Sequence, residues 1–319
     1  MAYLGAEGGV LTKQVNFGRT GLQVPAIAAG CMRLDRLDVA EAANYIENAV
    51  AHEVNFFDHA DIYGGGACEE LFGKALKQTG IRREDLFIQS KCGIIRGVMY
   101  DLSREHILAS VDGILKRLDM EYLDSLLLHR PDALVEPEEV ASAFDELERT
   151  GKVRHFGVSN MKPMQIELLK KCVDQPLAVN QLQVSAVHAS MISNGVEVNM
   201  QTGGAIDRDG SVLDYCRLKD MTIQAWSPLQ YRSATVRGAF CRYDDFSALN
   251  RKLEEMGEKY GVPPSAMALA WLLRHPAGMQ VLIGTMNGER FGELCRACDV
   301  RLSREDWYQI FKAAGNPLP

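Results

Sequence analysis

The sequence predicts an α/β fold, a (β/α)8 TIM barrel built as one domain over residues 1–319, and three observations indicate it. Short apolar segments alternate with amphipathic segments, and each pair occupies about thirty residues. Eight such pairs occur along the chain, which is the number that closes a barrel of parallel strands. Hydrophobic residues make up 47% of the 319 residues, enough to fill one sizeable core.

A β-hairpin is predicted before the first barrel strand, because residues 15–24 (VNFGRTGLQV) contain two short alternating stretches around a Gly-Arg-Thr-Gly turn. An extra amphipathic helix is predicted from Ser303 onwards. The eight predicted strands, each with its following helix or helices, are 26–30 with 38–52, 54–57 with 67–78, 86–90 with 103–118, 122–128 with 136–150, 153–158 with 162–173, 177–181 with 211–219, 222–226 with 247–260 and 264–274, and 280–284 with 287–297.

Local signals support the predicted helix bounds. Ser103 begins the segment SREH, a helix start signal, and Gly151 and Gly261 follow helical stretches where a left-handed cap is expected. Two connections, 183–210 and 227–247, are longer than a barrel requires. Both follow strands at the carboxyl side of the barrel, where insertions usually serve a ligand.

The composition excludes several classes of partner. The formal net charge is −7 and no stripe of Lys and Arg occurs, which argues against a nucleic-acid partner. No run approaches the roughly 18 apolar residues of a membrane span. The chain opens MAYLGAEGG without a secretory signal, and its eight cysteines are scattered. We therefore expect a cytoplasmic protein with neither a membrane partner nor a disulfide framework.

Ionisable residues follow three successive apolar runs. Asp58 follows VNFF, Lys91 follows LFIQS and His129 follows LDSLLL, while Tyr63 lies in the turn DHADIYG just after Asp58. Because the carboxyl ends of parallel strands meet at one face of a barrel, these side chains are expected to share one small site.

The four residue types together suit the reduction of a carbonyl group. A neighbouring ammonium favours the phenolate form of Tyr63, and an imidazole can share a proton with an incoming oxygen. A carboxylate paired with Lys91 would hold its ammonium charged and oriented. The set predicts Tyr63 as a proton donor. No side chain supplies hydride, so a nicotinamide cofactor is implied.

Each of the four residues also has a structural explanation when it is taken alone. Asp58 could cap a helix, Tyr63 could be a half-buried anchor, Lys91 could be solvated, and His129 could bond a backbone carbonyl group. Four such residues at matching heights in consecutive units favour a shared function.

These residues resemble the aldo-keto reductase superfamily, in which Asp and Tyr follow the second strand, Lys the third and His the fourth. The resemblance spans nearly the whole chain. Within the superfamily, HADIYGG, SKCGI and LHRPD are most similar to a bacterial branch of oxidoreductases. Further matching motifs are YGGGACEELFGKAL (63–76), GKVRHFGVSN (151–160), NQLQ (180–183), AWSPL (225–229) and VLIGTMNGER (281–290).

The resemblance implies a barrel with the hairpin capping its amino-terminal end and NADPH lying across its carboxyl face. Asp58 would pair with Lys91, Tyr63 would donate the proton, and His129 would orient the carbonyl. Ser159, Asn160 and Gln181 would bind the nicotinamide carboxamide, and Trp226 would stack on the nicotinamide ring, unless it is a core or rim anchor. The predicted cofactor-binding residues are Gly30, Cys31, Met32, Asp58, Ser159, Asn160, Gln181, Trp226, Ser227, Pro228, Leu229, Gly284, Thr285, Asn287 and Arg290.

The sequence departs from the family pattern after the eighth strand. Gly284 stands where the family often has a Lys for the 2′-phosphate of NADPH, while Thr285, Asn287 and Arg290 remain. Arg290 near a helix amino-terminus can still attract an anion, so NADPH is favoured over NADH. The alternative for Arg290 is an ordinary solvated helix residue.

The predicted substrate is a small-molecule carbonyl compound, with Arg130, Ile62 and Ile94 at its pocket. Arg130 either favours an anionic or strongly polar carbonyl or pairs with Asp132. We predict no metal site, since Cys295 and Cys298 form a CxxC inside a predicted helix without a second pair. The competing function is a nicotinamide-binding regulatory or scaffold subunit, because relatives of this fold serve as auxiliary subunits of ion channels.

Overall fold

Eight parallel strands close into a barrel in the computed structural model, which describes residues 13–232 and 237–318. Each strand pairs with the next along the chain, and the last pairs with the first. The predicted (β/α)8 barrel is therefore confirmed. The strands are β1 Ile27–Gly30, β2 Phe56–Asp58, β3 Phe87–Cys92, β4 Leu123–Leu128, β5 Val153–Ser159, β6 Leu177–Gln183, β7 Thr222–Trp226 and β8 Gln280–Ile283.

Helices surround the barrel and bury their apolar faces against it. One begins at the predicted signal, since Ser103 accepts a hydrogen bond from the amide of His106. At the start of the first helix, Asp38 forms a capping box with Glu41. The helices are α1 Val39–Ala51, α2 Ala67–Leu76, α3 Arg104–Leu118, α4 Pro137–Arg149, α5 Pro163–Leu169, α6 Ser190–Val196, α7 Val212–Leu218, α8 Ser247–Tyr260, α9 Pro264–Leu273, α10 Gly288–Cys295 and α11 Arg304–Ala313.

A hairpin closes the amino-terminal end of the barrel. Its strands, Gln14–Asn16 and Gln23–Pro25, pair antiparallel. Phe17, which follows the first of them, is fully buried and packs edge-on against Phe87, with ring centroids 4.9 Å apart. Since Phe87 begins β3, the hairpin plugs the end of the barrel opposite the predicted site.

The two long connections contain regular structure that the sequence did not predict. Helix α6 lies in the connection after β6, and a hairpin of Gln230–Arg232 with Arg237–Ala239 follows β7. A third hairpin, Ile94–Ile95 with Met99–Tyr100, follows β3. Strands of two or three residues carry too little periodicity to be recognised from a single sequence. All three elements follow barrel strands at the carboxyl face.

None of the helices in the described part of the chain combines the length and the apolar composition needed to cross a bilayer. Within the same residues, no group of three or more His, Cys, Asp or Glu side chains is arranged to hold a metal ion. The opening segment MAYLGAEGG, in which we predicted no secretory signal, lies outside the described residues.

Candidate active site

The barrel brings the four predicted catalytic residues together at its carboxyl end. Asp58 is the last residue of β2, Lys91 lies near the end of β3, and His129 directly follows β4. Tyr63 begins a short 3-10 helical turn after β2, in which Gly64 and Gly65 adopt left-handed backbone angles. A turn this tight returns the Tyr63 side chain to the strand ends.

Lys91 is the centre of this group. Its ammonium donates to Asp58 Oδ2 at 2.7 Å, to the carbonyl oxygen of His59 at 2.6 Å and to the phenolic oxygen of Tyr63 at 3.1 Å. These contacts use all three donors of the ammonium. Burial alone would lower the pKa of Lys91, but Asp58 and Tyr63 outweigh it and the pKa is raised. Lys91 is therefore charged although fully buried.

The pKa of Tyr63 differs from the expectation. Burial raises it above its ordinary value, and Lys91, which favours the phenolate, only partly opposes this shift. The expected net acidification of the phenol by its neighbours is therefore wrong for this structure. Tyr63 holds its proton at neutral pH, and Lys91 stabilises the anion left when the proton is given up.

His129 is a neutral imidazole. Burial, then Lys91, then Arg130 lower its pKa to about 2. Its Nδ1 atom is buried and has no hydrogen-bond partner among the described residues. The ring lies nearly perpendicular to that of Tyr63, with centroids 6.1 Å apart. A neutral imidazole can offer a hydrogen bond to a substrate oxygen without adding a second charge beside Lys91.

The residues predicted to bind the carboxamide are Ser159 at the end of β5, Asn160 directly after it, and Gln181 within β6. The Nδ2 atom of Asn160 donates to Ser159 Oγ at 2.7 Å, and Ser159 donates to the carbonyl oxygen of Gln181 at 3.0 Å. Trp226 donates from its indole to Asn160 Oδ1 at 3.2 Å. Asn160 and Ser227 have positive φ angles of 59° and 52°. Such backbone strain in non-glycine residues often occurs at binding sites.

A cavity of about 770 Å³ opens above these residues. Two predicted site residues do not line it: Lys91 lies behind Tyr63, and the Cys31 side chain is buried in the core. Cys31 was predicted as a cofactor-binding residue, but its side chain faces the core and not the cavity. The predicted residues that do line the cavity are Gly30, Met32, Asp58, Ile62, Tyr63, Ile94, His129, Arg130, Ser159, Asn160, Gln181, Trp226, Ser227, Pro228, Leu229, Gly284, Thr285, Asn287 and Arg290.

The cavity wall is cationic. Sequence reasoning identified Arg130 and Arg290 but missed three more, and the RLDR segment after β1 was the signal for two of them. Asp58 is the only carboxylate in the described lining, and Lys91 neutralises it. The five arginines that line the cavity are Arg33, Arg36, Arg130, Arg242 and Arg290. Such a wall attracts anions.

Arg33 contacts Gly284, the residue that stands where the family often has a lysine. The Nη1 atom of Arg33 donates to the carbonyl oxygen of Gly284 at 3.0 Å. A Cβ atom at position 284 would lie 2.9 Å from the same nitrogen. Nearby, Asn287 caps helix α10 by accepting from the amide of Arg290 at 2.8 Å. A cation, a helix amino-terminus and Arg290 therefore meet at this end of the cavity.

Comparison with known proteins identifies the family. The family model described as the aldo/keto reductase family matches residues 26–314. An uncharacterized oxidoreductase, YcsN, of Bacillus subtilis is 35% identical, with 93% of this chain and 97% of that protein covered. A 6-dehydroglucose reductase of Agrobacterium fabrum is 32% identical, with 92% and 95% covered. A probable voltage-gated potassium channel subunit beta of Arabidopsis thaliana is 28% identical, with 89% and 90% covered.

Among solved structures, the thermostable aldo-keto reductase Tm1743 in complex with the inhibitor epalrestat superposes with a TM-score of 0.76. The two proteins are 28% identical, and the match covers 95% of this chain and 100% of the other. The match thus covers the whole barrel together with its site. The chain belongs to the aldo/keto reductase family and is an oxidoreductase.

Proposed function

We propose that this enzyme reduces an aldehyde or ketone to an alcohol with NADPH, and that Tyr63 donates the proton. The observation that carries the proposal is the 3.1 Å contact between the Lys91 ammonium and the Tyr63 phenol at the base of the cavity. A bound nicotinamide cofactor would supply hydride to the carbonyl carbon.

The proton chemistry follows from the four side chains. Tyr63 transfers its proton to the carbonyl oxygen, and Lys91 stabilises the resulting phenolate. Asp58 keeps the Lys91 ammonium oriented through its 2.7 Å ion pair. The neutral ring of His129 would donate a hydrogen bond to the same carbonyl oxygen and so orient it beside Tyr63.

The lining of the cavity fits the proposed cofactor. Asn160 and Gln181 would hold the carboxamide and Trp226 would lie against the nicotinamide ring. The 2′-phosphate would be attracted by Arg33 and by Arg290, which lies in the first turn of α10. Two cations at one end of the cavity favour NADPH over NADH.

Arg130 supports an anionic or strongly polar carbonyl substrate. It has no carboxylate within salt-bridge distance in the residues that the structure describes, and its guanidinium lies 6.0 Å from the centre of the Trp226 ring. The alternative pair with Asp132 is not formed, because that carboxylate accepts the amides of Leu102 and Leu134. Ile62 and Ile94 would provide an apolar wall for the substrate chain.

The alternative function is a nicotinamide-binding regulatory or scaffold subunit, which the relative named as a potassium channel subunit beta supports. The assembled Asp58, Tyr63, Lys91 and His129 favour catalysis. The cytoplasmic location and the absence of nucleic-acid and membrane partners stay predictions from composition.

The test is NADPH oxidation with a panel of small aldehydes. Wild type should turn over, and Tyr63→Phe should lower kcat about 10² to 10⁴-fold while binding NADPH with unchanged affinity. Tyr215→Phe is a matched control, because Tyr215 bonds Glu167 on the outer surface. Tight NADPH binding without turnover of any carbonyl would favour the regulatory subunit.

A further inference from the structure

Four glutamines occupy the interior of the barrel beneath the site. Gln89 lies on β3, Gln181 on β6, Gln224 on β7 and Gln280 on β8, and none is more than 3% exposed. Gln89 precedes Lys91 by two residues, so both side chains point to the same face of their strand. Buried amides are costly unless every polar atom is paired, so their hydrogen bonds determine their orientation.

The four side chains form one chain of hydrogen bonds from the hairpin to the site. Gln280 donates to the carbonyl oxygen of Pro25 at 2.7 Å, and Gln224 donates to Gln280 Oε1 at 2.8 Å. Gln89 and Gln181 both donate to Gln224 Oε1, at 2.9 and 3.1 Å. Gln224 also donates to Gln89 Oε1 at 3.2 Å. Gln224 thus accepts two bonds and donates two, the full capacity of an amide.

The ion pair of Lys91 with Asp58, at the site end of these hydrogen bonds, determines how the Gln89 and Gln181 amides are oriented. Gln89 and Gln181 donate to Asp58 Oδ1 at 2.7 and 2.9 Å, while Asp58 Oδ2 accepts from Lys91. A carboxylate paired with an ammonium only accepts, so both amides must present their nitrogen atoms to it. The second hydrogen of the Gln181 nitrogen goes to Gln224.

The oxygen of the Gln181 side-chain amide takes no part in these hydrogen bonds. Its nitrogen is fully used, and among residues 13–232 and 237–318 its Oε1 atom has no hydrogen-bond donor. Gln181 lines the cavity. The hydrogen bonds inside the barrel therefore orient the Gln181 oxygen as an acceptor for a ligand in the cavity.

We infer that Gln224 is a positioning residue. It holds the Gln181 oxygen toward the cavity as the acceptor for the amino group of the nicotinamide carboxamide, and with Gln89 it anchors Asp58. This inference rests on the cofactor-binding part of the proposed function. Without Gln224, one hydrogen of Gln181 loses its acceptor and the amide can turn its nitrogen toward the cavity.

The test compares the binding of NADP⁺ with that of its 3-acetylpyridine analogue, in which a methyl group replaces the carboxamide amino group. Quenching of tryptophan fluorescence reports Kd for both without turnover. Wild type should bind the analogue about tenfold more weakly, since one hydrogen-bond donor is lost. Gln224→Met should reduce that preference to about twofold or less.

The matched control is Gln175→Met. Gln175 is buried and donates to Asp145 and Glu148, outside the glutamine chain, so its loss should leave the tenfold preference intact. Gln224→Glu is the rescue variant, because a protonated carboxyl group keeps the oxygen that accepts from Gln89 and Gln181. Measured at pH 6, it should retain most of the wild-type preference and stays informative if Gln224→Met fails to fold.

Any of three results would overturn the inference. They are equal binding of the two cofactors by wild type, the full preference in a folded Gln224→Met, and loss of the preference in a folded Gln224→Glu. Circular dichroism and thermal melting establish that each variant is folded. A protein that shows the carboxamide preference but reduces no carbonyl would contradict the proposed function and leave this inference intact.

Discussion

Arg33 and Gly284 lie 251 positions apart in the sequence and are joined by a 3.0 Å hydrogen bond from the guanidinium to the carbonyl oxygen. The bond links the segments that follow the first and the last barrel strands, which are neighbours in the closed barrel. The family pattern places a lysine after β8, at the position of Gly284. In this protein the cation at that end of the cavity is Arg33, which follows β1.

Arg33→Met should weaken NADPH binding about five- to thirtyfold and change NADH binding less than twofold. The reason is the loss of a charge-assisted contact with the 2′-phosphate, worth about 1 to 2 kcal/mol. Fluorescence titration with both cofactors measures the two affinities. Arg19→Met is the control, since Arg19 pairs with Asp220, beside the hairpin. An equal loss for NADPH and NADH would contradict a role in recognising the 2′-phosphate.

Lys91→Met should destabilise the fold by about 3 to 5 kcal/mol, because it leaves the Asp58 carboxylate buried without its partner. Adding Asp58→Asn should recover part of that loss. Urea unfolding followed by circular dichroism measures both variants. Lys77→Met, which removes an exposed pair with Asp119, should cost less than about 1 kcal/mol. A loss that small for Lys91→Met would show that the buried pair does not stabilise the fold.

Asp61 should make the stability of the protein fall as pH rises. Burial and the nearby Glu69 raise the pKa of Asp61 to about 7 from an ordinary value of 3.8. The folded state therefore holds this proton more tightly than the unfolded chain does. The stabilising contribution is complete below pH 3.8 and is lost as pH rises through 7.

The Asp61→Asn variant tests this sign. Its free energy of unfolding relative to wild type should increase between pH 4 and pH 7 and stay level above pH 7, with a total change of about 4 kcal/mol. Thermal melts across this range provide the measurement. A constant difference between the two proteins at every pH would exclude the raised pKa.

Arg130 should select for a negative charge on the substrate. Wild type is expected to reduce 4-oxobutanoate about tenfold or more efficiently than butanal, which has the same chain length and no carboxylate. Arg130→Met should bring the two kcat/KM values within about threefold while the rate with butanal stays near that of wild type. If wild type reduces both aldehydes equally well, Arg130 does not select for the charge.

The placement of the catalytic residues at strand ends was predictable from the sequence alone. Asp58, Lys91 and His129 each follow an apolar run, and parallel strands carry such positions to one face of a barrel. The closed barrel and its outer helices followed from the same periodicity. The short hairpins after β3 and β7 escaped prediction, because their strands are stabilised by pairing with each other and are too short to show a repeating pattern.

Sequence by itself determined which residue types reach the carboxyl face, because strand periodicity and strand ends are local properties. Only the tertiary structure decided how their charges and amides are arranged. Burial keeps the proton on Tyr63, Arg33 reaches Gly284 across the closure of the barrel, and Gln224 pairs with Gln89 and Gln181 inside it. These properties depend on desolvation and on contacts between distant strands, and no local pattern encodes either.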